Sequence, residues 1–120
     1  MRPNKSEQIE ALISHEAVKL VEKNVPSQEW RNDAYKKIFT VKRNEILQYV
    51  KERYPLNKLV HTKEGNFDGF YAIQRVKGYE VFEQERGIKF NQTQGLTLDE
   101  VWSKYVDYLI RTSGTGLLFE

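Results

Sequence analysis

The sequence predicts an α+β domain: two N-terminal helices, an antiparallel meander of three to four strands, and a C-terminal amphipathic helix. Apolar residues recur at helical spacing before residue 54 and again from residue 98. After Pro55 the spacing changes to the alternation of β-strands. Two turn-forming pairs, Lys77-Gly78 and Arg86-Gly87, divide this β region into short arms. These three observations together predict the fold class.

The first helix is predicted to begin at the capping-box spacing Asn4–Glu7. Apolar residues then follow one stripe at helical spacing, which predicts a continuous helix as far as the break at Asn24–Ser27. The stripe consists of Ile9, Leu12, Ile13, Ala17, Leu20 and Val21. Ser27 is the candidate cap of the next helix.

The segment Ser27–Tyr54 has a strongly helical composition, and Pro55 ends it. Its apolar positions point in two directions about 150° apart at 100° per residue. Two interpretations fit: one long helix buried on two sides, or a break near Thr40–Asn44 with Asn44 as a cap. We favour the long helix, with or without a kink.

The meander is predicted from period-two runs bounded by turn residues. The predicted strands are Leu59–Thr62, Phe70–Val76, Tyr79–Glu85 and Ile88–Phe90. Turns of two residues then predict the pairing of the strands. The predicted pairs are Val76 with Tyr79, Arg75 with Glu80, Ile73 with Phe82, and Glu85 with Ile88.

This pairing predicts two sheet faces, each with an apolar centre. One face carries Phe70, Ala72, Val76, Tyr79, Val81, Ile88 and Phe90. The other carries Tyr71, Ile73 and Phe82, fringed by Arg75, Glu80, Gln84 and Lys89. We therefore expect one face to be covered fully and the other at least partly.

The last helix is predicted to begin at the capping box Thr97–Glu100. Its apolar stripe consists of Leu98, Val101, Trp102, Tyr105, Val106 and Leu109. The sequence Gly114-Thr115-Gly116 is typical of a helix end followed by a turn. A phosphate-binding loop is not expected, because no helix follows whose N–H groups could bind an anion. The apolar tail Leu117–Phe119 is expected to pack against the rest of the protein.

Composition limits the class of protein. The 120 residues suit a single domain spanning 1–120, and 19 Lys and Arg against 17 Asp and Glu leave a net charge of only +2. This balance argues against function through bulk charge. The lack of Cys excludes disulfides, thiolate metal sites and a Cys nucleophile. With no apolar run of the roughly 18 residues that a membrane span needs, and no secretory signal, we expect a cytoplasmic protein without membrane contact.

No residue pattern predicts catalysis. His15 lies on the polar side of the first helix, and His61 has no acidic or His neighbour at ligand spacing, so both are interpreted as solvated or incidental. Glu83 and Glu85 project to one sheet face and Glu80 to the other, which argues against a paired acid and base. We predict no enzyme, no cofactor, no metal site and no small-molecule substrate.

Nucleic-acid binding is the alternative function. Residues 1–60 hold twelve basic and eight acidic side chains, whereas residues 61–120 hold seven and nine. The basic residues of the second helical region are Arg31, Lys36, Lys37, Lys42, Arg43, Lys51, Arg53 and Lys58. Nucleic-acid domains usually carry a denser basic stripe, and although Tyr71 and Phe82 offer rings for base stacking, core packing explains such residues more simply.

The stretch Gly78–Gly87 reads Gly-Tyr-Glu-Val-Phe-Glu-Gln-Glu-Arg-Gly. It resembles a motif of the small immunity proteins of bacterial polymorphic-toxin and contact-dependent growth inhibition systems, in which a short strand and an amphipathic helix follow. The resemblance covers about residues 70–111. It implies an antitoxin that binds a cognate toxin, often a nuclease, and occludes its active site or its substrate-binding surface. Allosteric and edge-blocking inhibition stay equally open.

We predict that the partner contacts the meander. The candidate partner-binding residues are Tyr71, Glu80, Phe82, Glu83 and Glu85. Because a nuclease toxin carries a basic substrate groove, the three carboxylates are the expected source of fast, specific association.

Overall fold

The computed structural model describes residues 3–30 and 33–120 and confirms the α+β class. Within these ranges the helices are α1 (Lys5–Ile13), α2 (Ala17–Asn24), a 3-10 turn (Ser27–Glu29), α3 (Ala34–Ile38), α4 (Arg43–Arg53), α5 (Leu56–Leu59) and α6 (Leu98–Arg111). The strands are β1 (Gly69–Arg75), β2 (Gly78–Glu85) and β3 (Ile88–Leu96). The chain divides into two compact units, the first within residues 1–49 and 109–120 and the second within residues 50–108.

The predicted first helix is in fact two helices, α1 and α2. Its start is confirmed, because the Asn4 side chain accepts a hydrogen bond from the Glu7 N–H at 2.8 Å. The prediction of a continuous helix was wrong: His15 adopts a left-handed φ of 59°, and the Glu16 N–H donates to the Ala11 carbonyl at 2.8 Å. This is a Schellman closure. Spacing alone did not reveal it, since apolar residues on both sides of the turn are buried.

The predicted long helix Ser27–Tyr54 was also wrong, and the alternative, a break near Thr40–Asn44, is confirmed, since α3 ends at Ile38 and α4 begins at Arg43. Gln8, fully buried on α1, accepts hydrogen bonds from the N–H groups of Thr40 at 2.7 Å and Val41 at 3.1 Å. These donors are therefore used by a side chain and not by a helix. The helix α4 starts afresh at Arg43, so Asn44 lies inside its first turn and is not the cap. Residues 31–32 of the predicted helix lie outside the described ranges.

The C-terminal tail docks within the same unit, as predicted. Phe119 is buried and meets Phe39 edge to face, with 6.0 Å between ring centroids. Its carbonyl accepts a hydrogen bond from the N–H of Arg43, one of the donors that every helix N-terminus leaves unpaired. Gly114 and Gly116 have φ values of 76° and 72°, so the segment is a turn, as expected.

In the second unit the three strands form an antiparallel sheet in the order β1-β2-β3. The predicted fourth strand, Leu59–Thr62, was wrong, because Pro55 precedes the short helix α5 and only His61 makes an isolated parallel bridge, with Tyr71. The pairing of Glu85 with Ile88 across Arg86-Gly87 is confirmed.

The first hairpin turns one residue earlier than predicted, at Val76-Lys77, so Arg75 pairs with Gly78. The pairs predicted for Val76, Arg75 and Ile73 were therefore wrong. Gly78 lies within the sheet and not in the turn, and a Cβ there would lie 2.8 Å from the carbonyl oxygen of Leu96 on β3. Position 78 must be glycine within the strand, where its φ is 110°, and not only in a turn.

This shift leaves the strand residues on their predicted faces, because it moves each pair by two residues and side chains alternate with period two. The exception is Val76, which was predicted on the Phe70 face and lies exposed in the turn. Ile73 now faces Glu80, and Tyr71 faces Phe82. On the opposite face, Phe70 packs on α6, with its ring centroid 5.9 Å from that of Tyr105 and 5.2 Å from that of Tyr108.

Helix α6 matches its prediction closely. Thr97 N–H donates to the Glu100 carboxylate at 3.0 Å, and Glu100 N–H donates to the Thr97 hydroxyl at 3.2 Å, which completes the capping box. The stripe from Val101 to Leu109 is buried, and burial raises the pKa of Tyr105. The exception is Leu98, which is 46% exposed at the first helical position.

The buried Gln8 side chain provides a test of the first unit. Replacing Gln8 with Ala leaves the N–H groups of Thr40 and Val41 and the carbonyl of Pro3 without their partner, so we expect the free energy of unfolding to fall by about 2 kcal/mol or more. Urea unfolding followed by circular dichroism measures this. The control Gln28→Ala removes an exposed amide and is expected to change stability by less than about 0.5 kcal/mol. Equal unfolding midpoints for the two variants would contradict the prediction.

Candidate partner-binding surface

The sheet face that carries Tyr71 and Phe82 is covered by the segment 61–68, here called the strap. His61 bonds to the edge of β1, donating its N–H to the Phe70 carbonyl at 3.0 Å and accepting from the Ala72 N–H at 2.9 Å. Its ring lies 4.7 Å from the Tyr71 ring and stacks on Phe67 at 5.6 Å. The strap therefore both pairs with the outer edge of β1 and covers the aromatic side chains beside it.

Residues of the Gly78–Gly87 motif hold the strap in place. The Gln84 amide donates to the carbonyls of Gly65 at 2.8 Å and Phe67 at 3.2 Å. The Arg86 N–H donates to the Asp68 carboxylate at 2.9 Å. The contribution of the motif to the fold is thus to anchor the strap on the sheet.

Four charged side chains link the strap to all three strands. Glu64 on the strap accepts hydrogen bonds from Lys89 of β3 at 2.9 Å and from Arg75 of β1 at 3.0 Å. Arg75 also donates to Glu80 of β2 at 2.9 Å. Hydrogen bonds from Lys89, and to a lesser extent from Arg75, hold the pKa of the Glu64 carboxyl below its ordinary value. Hydrogen bonds to Glu80, and to a lesser extent to Glu64, raise the pKa of the Arg75 guanidinium. This network is neutral overall.

Four of the five predicted partner-binding residues are buried. Tyr71 and Phe82 stack on each other with 4.8 Å between ring centroids and form a core cluster with Ile73. Glu80 is buried within the charge network. Glu83 is buried on the opposite face, paired with Phe70 and Phe90, and accepts a hydrogen bond from the Asn91 amide at 2.9 Å.

Glu85 is the exposed member of the predicted set. The structure therefore does not bring the five residues together as one acidic surface. The strap covers the sheet face that carries Tyr71, Glu80 and Phe82, and Glu83 points to the opposite face.

The outer edge of β3 was missed by the sequence reasoning, although a signal was available, since the last strand of a meander must be an edge. In the described sheet β3 pairs with β2 alone, and seven of its nine residues are exposed. Ile88 is 68% exposed and Phe90 37%. Sheet edges in natural proteins are usually covered, as the strap covers β1, or blunted.

The described basic residues of the nucleic-acid alternative lie on α3, α4 and α5, apart from Lys42, which immediately precedes α4. Several are engaged in ion pairs or hydrogen bonds: Lys37 with Glu29, Lys51 with Asp99, and Lys42 with the carbonyl of Glu120. Arg31 lies outside the described residues. Nucleic-acid binding stays a prediction.

Other features of the described residues add no reactive site. His15 is exposed, and His61 is used by the strap, with its Nε2 3.1 Å from the Asp68 carbonyl oxygen. A shallow groove of about 390 Å³ between α1 and α2 is lined by both signs of charge, including Glu7, Glu16 and Lys19. Within 3–30 and 33–120, no three His, Cys, Asp or Glu side chains cluster as metal ligands do, and no helix is long and apolar enough to cross a membrane.

Comparison with family models, with curated proteins and with solved structures finds no match for this chain.

The charge network predicts how Glu64 titrates. A carboxyl whose folded pKa is lowered stabilises the fold above its unfolded pKa of about 4.5, and this contribution is lost as the pH falls through the lower folded value. NMR titration of the side-chain carboxyl carbon is expected to give an apparent pKa below 4.5 for Glu64. Replacing Lys89 with Met should raise it towards 4.5, with Arg75 still opposing the rise.

The matched control for this titration is Lys63→Met, which removes the same charge from the strap itself. It is expected to shift the Glu64 pKa less than Lys89→Met does. An apparent pKa of 4.5 or above in the native chain would show that the Glu64 contacts do not persist in solution.

Proposed function

We propose that this chain is an immunity protein that binds and neutralises a cognate toxin in the bacterial cytosol, and that it acts by binding, without catalysis. The resemblance of Gly78–Gly87 to the immunity-protein motif supports the class of function. The observation that carries the binding role is the uncovered edge of β3, where Ile88 and Phe90 expose apolar side chains beside unpaired backbone.

The motif supports such a role indirectly. Gln84 and Arg86 anchor the strap, and the Arg86-Gly87 turn leads directly into β3. The motif thus forms strand β2 and the turn into β3, whose outer edge is the proposed binding surface. A binding surface on a rigid strand loses little conformational freedom when a partner docks, which favours affinity.

Of the three carboxylates expected from the sequence to contact the partner, this proposal keeps one, Glu85. Glu80 and Glu83 are buried and hydrogen-bonded, whereas Glu85 is exposed immediately before the β2–β3 turn. Imitation of a nucleic-acid strand by a row of carboxylates therefore receives no support. Occlusion of the active site or of substrate access by a partner docked at the β3 edge is the mode we propose.

Co-expression tests the proposed function. Expression of this chain is expected to restore growth to cells that produce the toxin encoded beside its gene, and the purified proteins are expected to elute together as a one-to-one complex in size-exclusion chromatography. The absence of both rescue and complex would refute an immunity function.

The contribution of Glu85 is tested by Glu85→Lys, with Glu22→Lys as the control on an exposed position of α2. Reversing a charge at the rim of an interface acts mainly on the association rate, so we expect a loss of about tenfold at low salt that shrinks as salt is added. Stopped-flow mixing with the toxin measures this rate. Equal rates for the two variants would remove Glu85 from the interface.

A further inference from the structure

We propose that the Ile88–Phe90 segment of β3 receives an extended segment of a different protein in antiparallel β-pairing, with an acidic residue opposite Lys89 and apolar residues on either side of it. The identification of that protein as a toxin rests on the proposed function. The chemistry of the docked segment rests on the β3 edge alone.

The direction of the backbone groups follows from the sheet register. Glu85 and Ile88 flank a two-residue turn and therefore exchange hydrogen bonds, as do Glu83 and Phe90. The pair between them, Gln84 and Lys89, does not, so the N–H and C=O of Lys89 point to the outer edge. The same alternation on β1 directs Phe70 and Ala72 outward, where His61 bonds to both.

The length of the docking segment is set by two bulges. The register of β3 shifts twice, and left-handed residues lie at both irregular stretches: Asn91 with φ 53° and Gly95 with φ 73°. Bulges interrupt regular pairing on a strand. The undistorted edge is therefore Ile88–Phe90, long enough for a short strand and too short for extended aggregation.

The side chains of this segment alternate in character. Ile88 and Phe90 point to one face and are exposed, so a partner strand gains apolar contact there. Lys89 points to the other face, where its ammonium lies 4.6 Å over the Phe82 ring and donates to Glu64. An ammonium carries three N–H donors, and an acidic residue on the neighbouring strand lies within reach of it.

A second copy of this chain is disfavoured as the occupant. Since Lys89 is the undistorted residue whose backbone points outward, a symmetric antiparallel pairing of two β3 edges centres on it. Each Lys89 then lies directly opposite the Lys89 of the other copy, and like charges in that position are destabilising. The charge of Lys89 therefore disfavours pairing of two β3 edges and favours binding of a segment that carries a negative charge opposite it.

Peptide binding to the full chain tests the proposal. The probe is a capped seven-residue peptide with valine–glutamate–valine at its centre and two threonines at each end, and the comparison peptide has lysine in place of the glutamate. Backbone amide NMR shifts are expected at residues 88–90, with about fivefold tighter binding of the glutamate peptide. No shifts at millimolar peptide, shifts centred elsewhere, or equal affinity for both peptides would overturn the proposal.

Two substitutions separate backbone from charge. Lys89→Pro removes the outward N–H, which β2 does not use, and is expected to weaken binding of the glutamate peptide at least tenfold. Lys89→Met keeps the N–H, so it is expected to bind both peptides but to lose the preference for the glutamate peptide. This variant keeps the proposal testable if Lys89→Pro does not fold. Loss of the preference without loss of binding in Lys89→Met supports the proposal, and an unchanged preference refutes it.

The outcome is distinguishable from failure of the proposed function. If the native chain rescues growth and folded Lys89→Pro rescues it equally well, the immunity function stands and the edge-docking proposal fails. If the native chain gives no rescue but the glutamate peptide binds at residues 88–90 with the expected preference, the edge proposal stands and the immunity function fails.

Discussion

A three-stranded sheet with apolar side chains on both faces must be covered on both, and the rest of the second unit follows from this constraint. Helix α6 covers the Phe70 face with a cluster of tyrosines. The strap covers the stacked Tyr71 and Phe82 on the other. Burying these rings contributes on the order of a few kcal/mol each, which far exceeds the contribution of any exposed ion pair in the network. The cover on the second face decides which residues stay accessible to a partner.

The strap also explains the chemistry of the Gly78–Gly87 motif. Beyond His61 the strap forms no helix or strand, so its backbone needs other partners. The Gln84 amide and the Tyr71 hydroxyl donate to its carbonyls, and the Arg86 N–H donates to the Asp68 carboxylate. Glu64 adds charge pairing to two strands at once. Two residues of the motif, Gln84 and Arg86, therefore anchor the strap, and the exposed edge of β3 follows directly after the motif. In the first unit Gln8 has the corresponding role, since it bonds the irregular backbone between α3 and α4.

The sequence predicted most elements that have local signals and missed several features that depend on distant partners. The capping boxes at Asn4 and Thr97, the Arg86-Gly87 turn and the buried stripe of α6 all depend on neighbours within a few residues. The break at Thr40 depends on Gln8, 32 residues away, and the need for glycine at position 78 depends on the backbone of Leu96. Of the predicted partner-binding residues, alternation placed each on the correct face, but the strap that covers the face of Tyr71, Glu80 and Phe82 has no periodic pattern that predicts it.

By itself the sequence determined the α+β class, the helical and β regions, and the two faces of the sheet, because hydrophobic spacing and turn chemistry are local. Only the tertiary structure decided which of those faces are accessible and which edge is open. A residue is buried only if another part of the chain covers it. Here the cover is the polar segment 61–68, which contacts the sheet through backbone carbonyls and single side chains. For this reason Tyr71 and Phe82 belong to the core, whereas Ile88 and Phe90 at the outer strand β3 stay exposed.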